Sequence, residues 1–546
     1  MNSSSDSAGR HPATRKSAPS WPRRFWRRRR WFGKLMVVAL IVTIPVGAFF
    51  GVVFTITYQD VRADNTGTLR FANEVAIPPL LEPRIDGEGG KHFDLRMQTG
   101  HSELLSGKRT ETWGVNGAYL GPTIRANTGD HVTMHVTNDL PEASSLHWHG
   151  MRLPASMDGG PHQEVAPKQT WTPEWTVKQP AASLWYHPHP HGKTAKHVYQ
   201  GVSGMFLIDD PESRNLGLPG DYGVDDIPLV IQDKKFAPDG SLDFSRAGGL
   251  GDAVGAGGTG ILGDTILVNG THDPRLSVTS ELTRLRVLNG STARIYNIGF
   301  DDNRAFQVIA SDSGLLPAPE SRERILLSPG ERAEIVVRLA PGEAPVLRSF
   351  PGGLDAGFPT DRFAGGDDTF DLIQLRAGDD LGQDAVVPAT LARGEQLQAP
   401  PEARVRRFEL GGRSSINGQS MDMSRIDEVV AAGATEIWEI VGGGGPHNFH
   451  IHDVAFRILD IDGEPPAAWQ AGRKDTVYLP PGKTVRVVVD FGTDVDPDVP
   501  YMYHCHLLYH EDSGMMGQFV IVRADQVDST SRTVNTGGEG HHHGHG

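Results

Sequence analysis

Cysteine is almost absent: Cys505 is the only one in 546 residues. An intrachain disulfide is excluded, and the thiol is left as a buried group, a nucleophile or a metal ligand. Positive charge is scarce over most of the chain. Ten of the 52 Lys and Arg crowd into residues 1–34, so the remainder carries 42 basic against 66 acidic side chains. Such a body is a poor binder of nucleic acid. Methionine is missing from 340–402. Past residue 58 no long stretch keeps a helical period, which argues against a helical bundle. What is there in quantity is Gly (65) and Pro (38), with 38% hydrophobic residues. That composition describes a loop-rich, β-rich soluble body, long enough for three or four domains.

Residues 1–34 form a basic head, read as disordered and cytoplasmic. It leads into Leu35–Tyr58, 24 residues without a charge, long enough to span a bilayer. Arginines before it and acidic groups after it predict a single-pass signal anchor with the body outside the cytoplasm. A cleaved signal is the alternative. Arg29-Arg30-Trp31-Phe32-Gly33-Lys34 also resembles a twin-arginine export signal.

From about Thr66 the chain breaks into short β-branched runs between Gly, Pro, Asn and Asp clusters: HVTMHVT (131–137), RLRVL (284–288), AEIVVRL (333–339), EIWEIV (436–441) and TVRVVVDF (484–491). Polar and apolar residues alternate in several of them, as in half-buried strands. An Asn-Gly turn precedes a strand-rich segment three times, at Asn116, Asn269 and Asn417. A related strand edge recurs at 165–177, 327–339 and 479–491. Three copies of one β-sandwich, at 66–212, 222–377 and 402–525, is the economical reading. Residues 350–402 read as a long linker or surface loop. Residues 526–546 form a tail ending in GGEGHHHGHG (537–546), readable as a metal scavenger or as a solvated tail.

Chemistry concentrates in YMYHCHLLYHEDSGMMG, Tyr501–Gly517. His504 and His506 flank Cys505, with His510 and Met515 close behind. Thiolate, imidazole and a weak thioether are the donor set of a blue-copper electron-transfer site. On a strand, His504 and His506 share one face and Cys505 points to the other. Three more His clusters follow: His147-Trp148-His149, His187-Pro188-His189-Pro190-His191 and His447-Asn448-Phe449-His450-Ile451-His452. With His447, Cys505, His510 and Met515 set aside for the electron-transfer site, eight His remain. Half lie in the first repeat and half in the third. A second metal site is therefore expected where those two repeats meet, and the middle repeat reads as structural.

Taken together these motifs resemble the four copper-binding motifs of three-domain multicopper oxidases, from about residue 66 to 525. HWHGMRLPASMDGGP, WYHPHPHGKTAKHVYQGVSGM and HCHLLYHEDSGMMG are most similar to the bacterial branch of laccase-like enzymes and cuprous oxidases. The resemblance implies an all-β fold of three cupredoxin-like Greek-key β-sandwich domains, here behind an N-terminal transmembrane or signal-anchor helix. It also implies four copper ions. Carried over by motif, the type 1 copper falls to His447, Cys505 and His510 with Met515 axial. The type 2 copper falls to His147 and His450, and the type 3 pair to His149, His187, His189, His452, His504 and His506. Asp158 and Glu511 match acids that relay protons to the cluster. His191 has no ligand role in the family.

Two departures stand out. Asn448 replaces the Pro usual in the third motif. Gly442-Gly443-Gly444-Gly445-Pro446 stands where cuprous oxidases of this branch carry Asp and Met to hold Cu(I), and their Met-rich insert is absent. The glycines are expected to leave the type 1 edge open to bulky donors. The implied activity is laccase-like: oxidation of phenols or aromatic amines coupled to reduction of O2 to water. A metal-ion donor (Cu(I), Mn(II) or Fe(II)) is the alternative. A non-enzymatic reading is a copper-sequestering or cell-envelope scaffold protein, since some relatives keep the fold without the coppers.

Overall fold

The computed structural model of the chain describes residues 22–246, 255–383, 385–392 and 397–534; for 22–33, 35 and 37–42 only the backbone is described. The His-rich tail lies outside these residues, as does most of the basic head.

Residues Pro22–Asp60 form one helix with Pro45 inside it. The apolar run Leu35–Tyr58 thus becomes helical. Among the described residues, however, no helix is long and apolar enough to cross a membrane, so the expected anchor finds no support in the structure.

Among the described residues the body forms six sheets that pair into three sandwiches. In the first, a sheet led by Lys91–Leu105 and His131–Asn138 faces a sheet ordered Ile124–Asn127, Gly204–Asp209, Ala182–His187, His147–His149. Phe93, Met134, Trp148 and Phe206 fill the space between them. The middle sandwich encloses Leu285, Phe300, Ile335 and Leu372. The third encloses Phe408, Trp438, Phe449, Val487 and Phe519. Along Thr435–Val441 inner residues are buried and outer ones half-buried in strict alternation, which is the period-2 pattern that named it a strand.

The internal repeat is visible in the ladders. In each sandwich an early strand pairs in parallel with a second: Lys91–Leu105 with His131–Asn138, Asp226–Lys234 with Leu282–Asn289, and Arg404–Gly411 with Thr435–Val441. The second strand then pairs antiparallel with a third. The three Asn-Gly turns are equivalent as well. Asn116, Asn269 and Asn417 all have positive φ (55°, 50° and 53°), a region Asn tolerates better than most residues. Each side chain takes a backbone N–H of the early strand, from Arg96, Val230 and Glu409 at 2.7, 2.8 and 2.8 Å. Each also donates to a carbonyl two residues earlier, on Asp94, Pro228 and Arg407.

Two segments depart from the expected partition. Asn73–Glu74 pairs in parallel with Pro274–Ser280, so this stretch edges the middle sandwich and not the first. Phe370–Gly382, inside the stretch read as a linker, is a 13-residue strand of the same sheet. The Gly and Asp on either side of FDLIQL outweigh its apolar run in composition, but burial of that run decides the structure.

Candidate functional site

Sheet register brings the histidines together. His147–His149 lies antiparallel to Ala182–His187, with His147 opposite His187. His447–Ile451 lies antiparallel to Asp496–His504, with His450 opposite His504. These two strand pairs face each other across the junction of the first and third sandwiches, and all eight imidazoles between them are buried.

Their nitrogens converge. His189 and His452 each place Nε2 on His504 Nε2, at 3.2 and 3.3 Å. His187 Nε2 lies 3.3 Å from His149 Nδ1 and 3.5 Å from His506 Nε2. His147 and His450 donate Nδ1–H to main-chain carbonyls, of Asp158 at 3.0 Å and Asp475 at 2.8 Å. This leaves their buried Nε2 atoms without any partner. Orphaned, converging imidazole nitrogens are a cost unless a cation takes their lone pairs. Burial, with neighbouring imidazoles, holds His149, His187, His189, His450, His452 and His504 well below the usual histidine range. Imidazoles held this low are neutral, with lone pairs free to bind a cation. Sets such as His147/His450/His452 and His189/His452/His504 have ligand atoms within 4.8 Å of one another. The residues present fit a cluster of copper ions.

Acids tie the cluster down. Asp158 Oδ2 accepts from His452 Nδ1 at 2.7 Å. Gly159 beside it has φ +78°, and a Cβ there would come within 1.9 Å of the Leu146 carbonyl oxygen; only glycine fits this turn. Glu511 sits 3.3 Å from His504 Nδ1 and 3.5 Å from His189 Nδ1. Burial, with Asp512 next to it, pushes its carboxyl well above the usual range. Asp475, which no sequence motif marked, accepts from His149 Nε2 at 3.0 Å and is gripped by Arg332 at 2.7 and 2.6 Å.

The second cluster lies on the other side of the same strand end. Cys505 Sγ is 3.7 Å from His447 Nδ1 and 3.6 Å from His510 Nδ1, and those two nitrogens are 3.2 Å apart. The main chain closes a loop around the thiol, with Cys505 N–H donating to the Met515 carbonyl at 3.1 Å. Met515 is buried in the same core. His510 donates Nε2–H to the Gly258 carbonyl at 2.9 Å, which turns Nδ1 toward the thiol. Burial pushes the Cys505 thiol up to about 12. The expected open edge is not seen: His447 and His510 are only 1% and 3% exposed. His191, exposed, stays outside both clusters.

The middle sandwich contributes no imidazole, yet it is more than a spacer. It supplies Gly258 to His510, Ser328 and Pro329 to Asn448, and Arg332 to Asp475. These contacts lie far apart in sequence and carry no motif, so sequence reading missed them.

Fold and site together define a cupredoxin-like all-β protein with a buried thiol–imidazole site beside a buried polyhistidine site. Two family models described as multicopper oxidase match residues 96–213 and 391–525. The chain is 34% identical over 467 residues to multicopper oxidase mco of Staphylococcus aureus, covering 84% of this chain and 95% of the relative. It is 36% identical, with a TM-score of 0.72, to a bacterial laccase-like multi-copper oxidase of Ochrobactrum sp. with oxidase activity towards lignin model compounds; 82% of this chain and 100% of that one are covered. It is also 35% identical over 451 residues to cell division protein FtsP of Escherichia coli, covering 82% and 92%. The chain belongs to the multicopper oxidase family.

Proposed function

We propose that this protein is a laccase-like multicopper oxidase with three domains near 66–212, 222–377 and 402–525, except that Asn73–Glu74 and the whole of Phe370–Gly382 belong to the middle one. It takes single electrons from phenolic or aromatic amine donors and reduces O2 to water. The observation that carries this reading is the completeness of the donor set: ten buried His, one buried Cys and one buried Met in two adjacent clusters, with orphaned nitrogens where ligand atoms are needed. We assign type 1 copper to His447, Cys505, His510 and Met515, type 2 to His147 and His450, and the type 3 pair to His149, His187, His189, His452, His504 and His506. Bound there, copper supplies the one-electron steps between donor and O2.

The chain's own residues do the rest. Cys505 sits between His504 and His506, so a few covalent bonds join the two clusters. Burial of both clusters excludes bulk water. Asp158 and Glu511 stand against cluster imidazoles, placed to relay the protons that O2 reduction consumes. The glycines at 442–445, in place of soft or anionic side chains, favour organic donors over Cu(I).

Similarity to FtsP supports a second reading, a cell-envelope scaffold without turnover. A complete ligand set argues against it, since a scaffold has no need of orphaned buried nitrogens. Oxygen uptake by the copper-loaded protein separates the possibilities. Faster uptake with a methoxyphenol than with a weak Cu(I) complex supports the laccase-like reading. The reverse order supports a metal-ion oxidase, and no uptake with either supports the scaffold.

A further inference from the structure

One turn of the middle sandwich, Ser328–Arg332, reaches both clusters. It joins the strands Ile325–Leu327 and Arg332–Arg338. At its start, Asn448 donates Nδ2–H to Ser328 Oγ at 3.1 Å and to the Pro329 carbonyl at 2.8 Å. Asn448 Oδ1 in turn lies 3.6 Å from Cys505 Sγ. At its centre, Gly330 has φ +84°, and a Cβ there would sit 3.1 Å from the His506 ring. At its end, the Arg332 guanidinium forks onto Asp475, the acceptor of the His149 Nε2–H.

Arg332 is fully buried and every one of its donors is used. Nε donates to the Ser183 carbonyl of the first sandwich at 2.9 Å. Nη1 also reaches the Gly330 carbonyl at 3.0 Å, and Nη2 the Asp312 carbonyl at 2.9 Å. One side chain therefore touches all three sandwiches. The turn is itself held from inside: Glu331 Oε2 accepts from Ser328 N–H and Oγ–H, both at 2.7 Å, and Glu331 Oε1 lies 3.1 Å from Lys474 Nζ.

We propose that Ser328–Arg332 is a positioning element for both copper centres, through Asn448 on the Cys505 side and through Asp475 and His506 on the polyhistidine side. This rests on the copper assignment proposed above. An Asp475 carboxylate fixed by a bidentate guanidinium fixes the proton of His149 on Nε2 and turns Nδ1 toward His187. Without the fork, the buried Asp475 carboxylate loses its fixed orientation, and His149 loses its anchor. A side chain at position 330 meets both an unfavourable φ and the His506 ring. The middle sandwich, which holds no ligand, thereby sets the geometry of both centres.

The test uses the full chain reconstituted with copper, in the variants Ser328→Ala, Gly330→Ala, Arg332→Lys and Arg332→Met. Copper content, blue absorbance, the paramagnetic resonance spectrum and thermal stability are read for each. Ser328→Ala is expected to shift the type 1 absorbance and resonance while copper content holds. Arg332→Met is expected to weaken copper retention at the polyhistidine cluster by about 10- to 100-fold, with the type 1 signal kept. Arg332→Lys, which keeps the charge without the fork, recovers part of that loss. Gly330→Ala is expected to disturb the polyhistidine cluster alone. Should Arg332→Met fail to fold, Ser328→Ala and Arg332→Lys still decide the matter. Variants that melt lower yet keep wild-type copper content and both spectra would show the turn to be a structural clasp only, and would overturn the inference. A wild-type chain that takes up no copper would overturn the copper assignment and this inference with it.

Discussion

Asp158 and Asp475 hold the polyhistidine cluster by exchanging the same service across the junction of two sandwiches. Asp158 gives its carbonyl to His147 of its own sandwich and its carboxylate to His452 of the third. Asp475 gives its carbonyl to His450 of its own sandwich and its carboxylate to His149 of the first. Each acid fixes one local and one distant imidazole, so the cluster exists only when the two sandwiches are docked.

Replacing Asp158 separates anchoring from proton supply. Asp158→Ala removes the acceptor for His452 and is expected to weaken copper retention at the cluster by about 10- to 100-fold. Asp158→Asn keeps an acceptor oxygen but cannot donate a carboxyl proton. It is expected to hold copper normally and to turn over more slowly. Copper content and oxygen-uptake rates over a pH series check both outcomes.

The thiol gives copper loading a pH dependence. Burial and the neighbouring His510 hold His447 down at about 3, and burial holds His510 down at about 4, so both imidazoles are already neutral near pH 7. Cys505, pushed up to about 12, is still protonated there. A metal binds the thiolate, so filling this site is expected to release one proton per copper, and occupancy to fall as pH falls. Cys505→Ser is expected to abolish blue absorbance and turnover. Proton release during titration in weak buffer, and the absorbance of the variant, check the prediction.

Docking of the first and middle sandwiches depends on a buried ionic cluster. Arg286 donates to Asp226, at 2.6 and 2.9 Å, and to Glu334 at 3.0 Å; Arg284 pairs with Glu334; and Ser183 donates to Glu334 at 2.7 Å. Burial pushes the Glu334 carboxyl up, but the two arginines outweigh it and bring it down to about 2. Its folded value lies below its unfolded value, so its contribution is fully present above about pH 4.5 and is lost as pH falls toward 2. Glu334→Gln is expected to cost about 3–5 kcal/mol at neutral pH, because it leaves buried arginines short of a partner. The gap between wild type and variant should narrow below pH 4.5, as read by denaturant melts across pH.

Much of this was legible in the sequence because strand chemistry is local. His-x-His pairs declare a shared face, Cys505 between two histidines declares the opposite face, and the Asn-Gly turns declare the repeat. The distribution of pairs over the first and third repeats placed the polyhistidine site at their junction. What stayed hidden is held by long-range contacts between ordinary residues. Asp475 lies 326 residues from His149, and Arg332 lies 143 residues from Asp475; neither has a neighbour that marks it. The glycines at 442–445 suggested an open edge, but the Gly258 carbonyl of another sandwich caps His510. The apolar run at 35–58 satisfied a length rule for a membrane span that the described helix does not support.

The central claim is that the two clusters act together to reduce O2 to water. The most direct measurement is the stoichiometry of oxygen uptake by the copper-loaded full chain with a methoxyphenol donor, with catalase added at the end. The account predicts four donor electrons consumed per O2, no oxygen returned by catalase, and loss of all uptake in Cys505→Ser. A fully loaded blue protein that consumes no oxygen, or one that returns oxygen through peroxide, would contradict it.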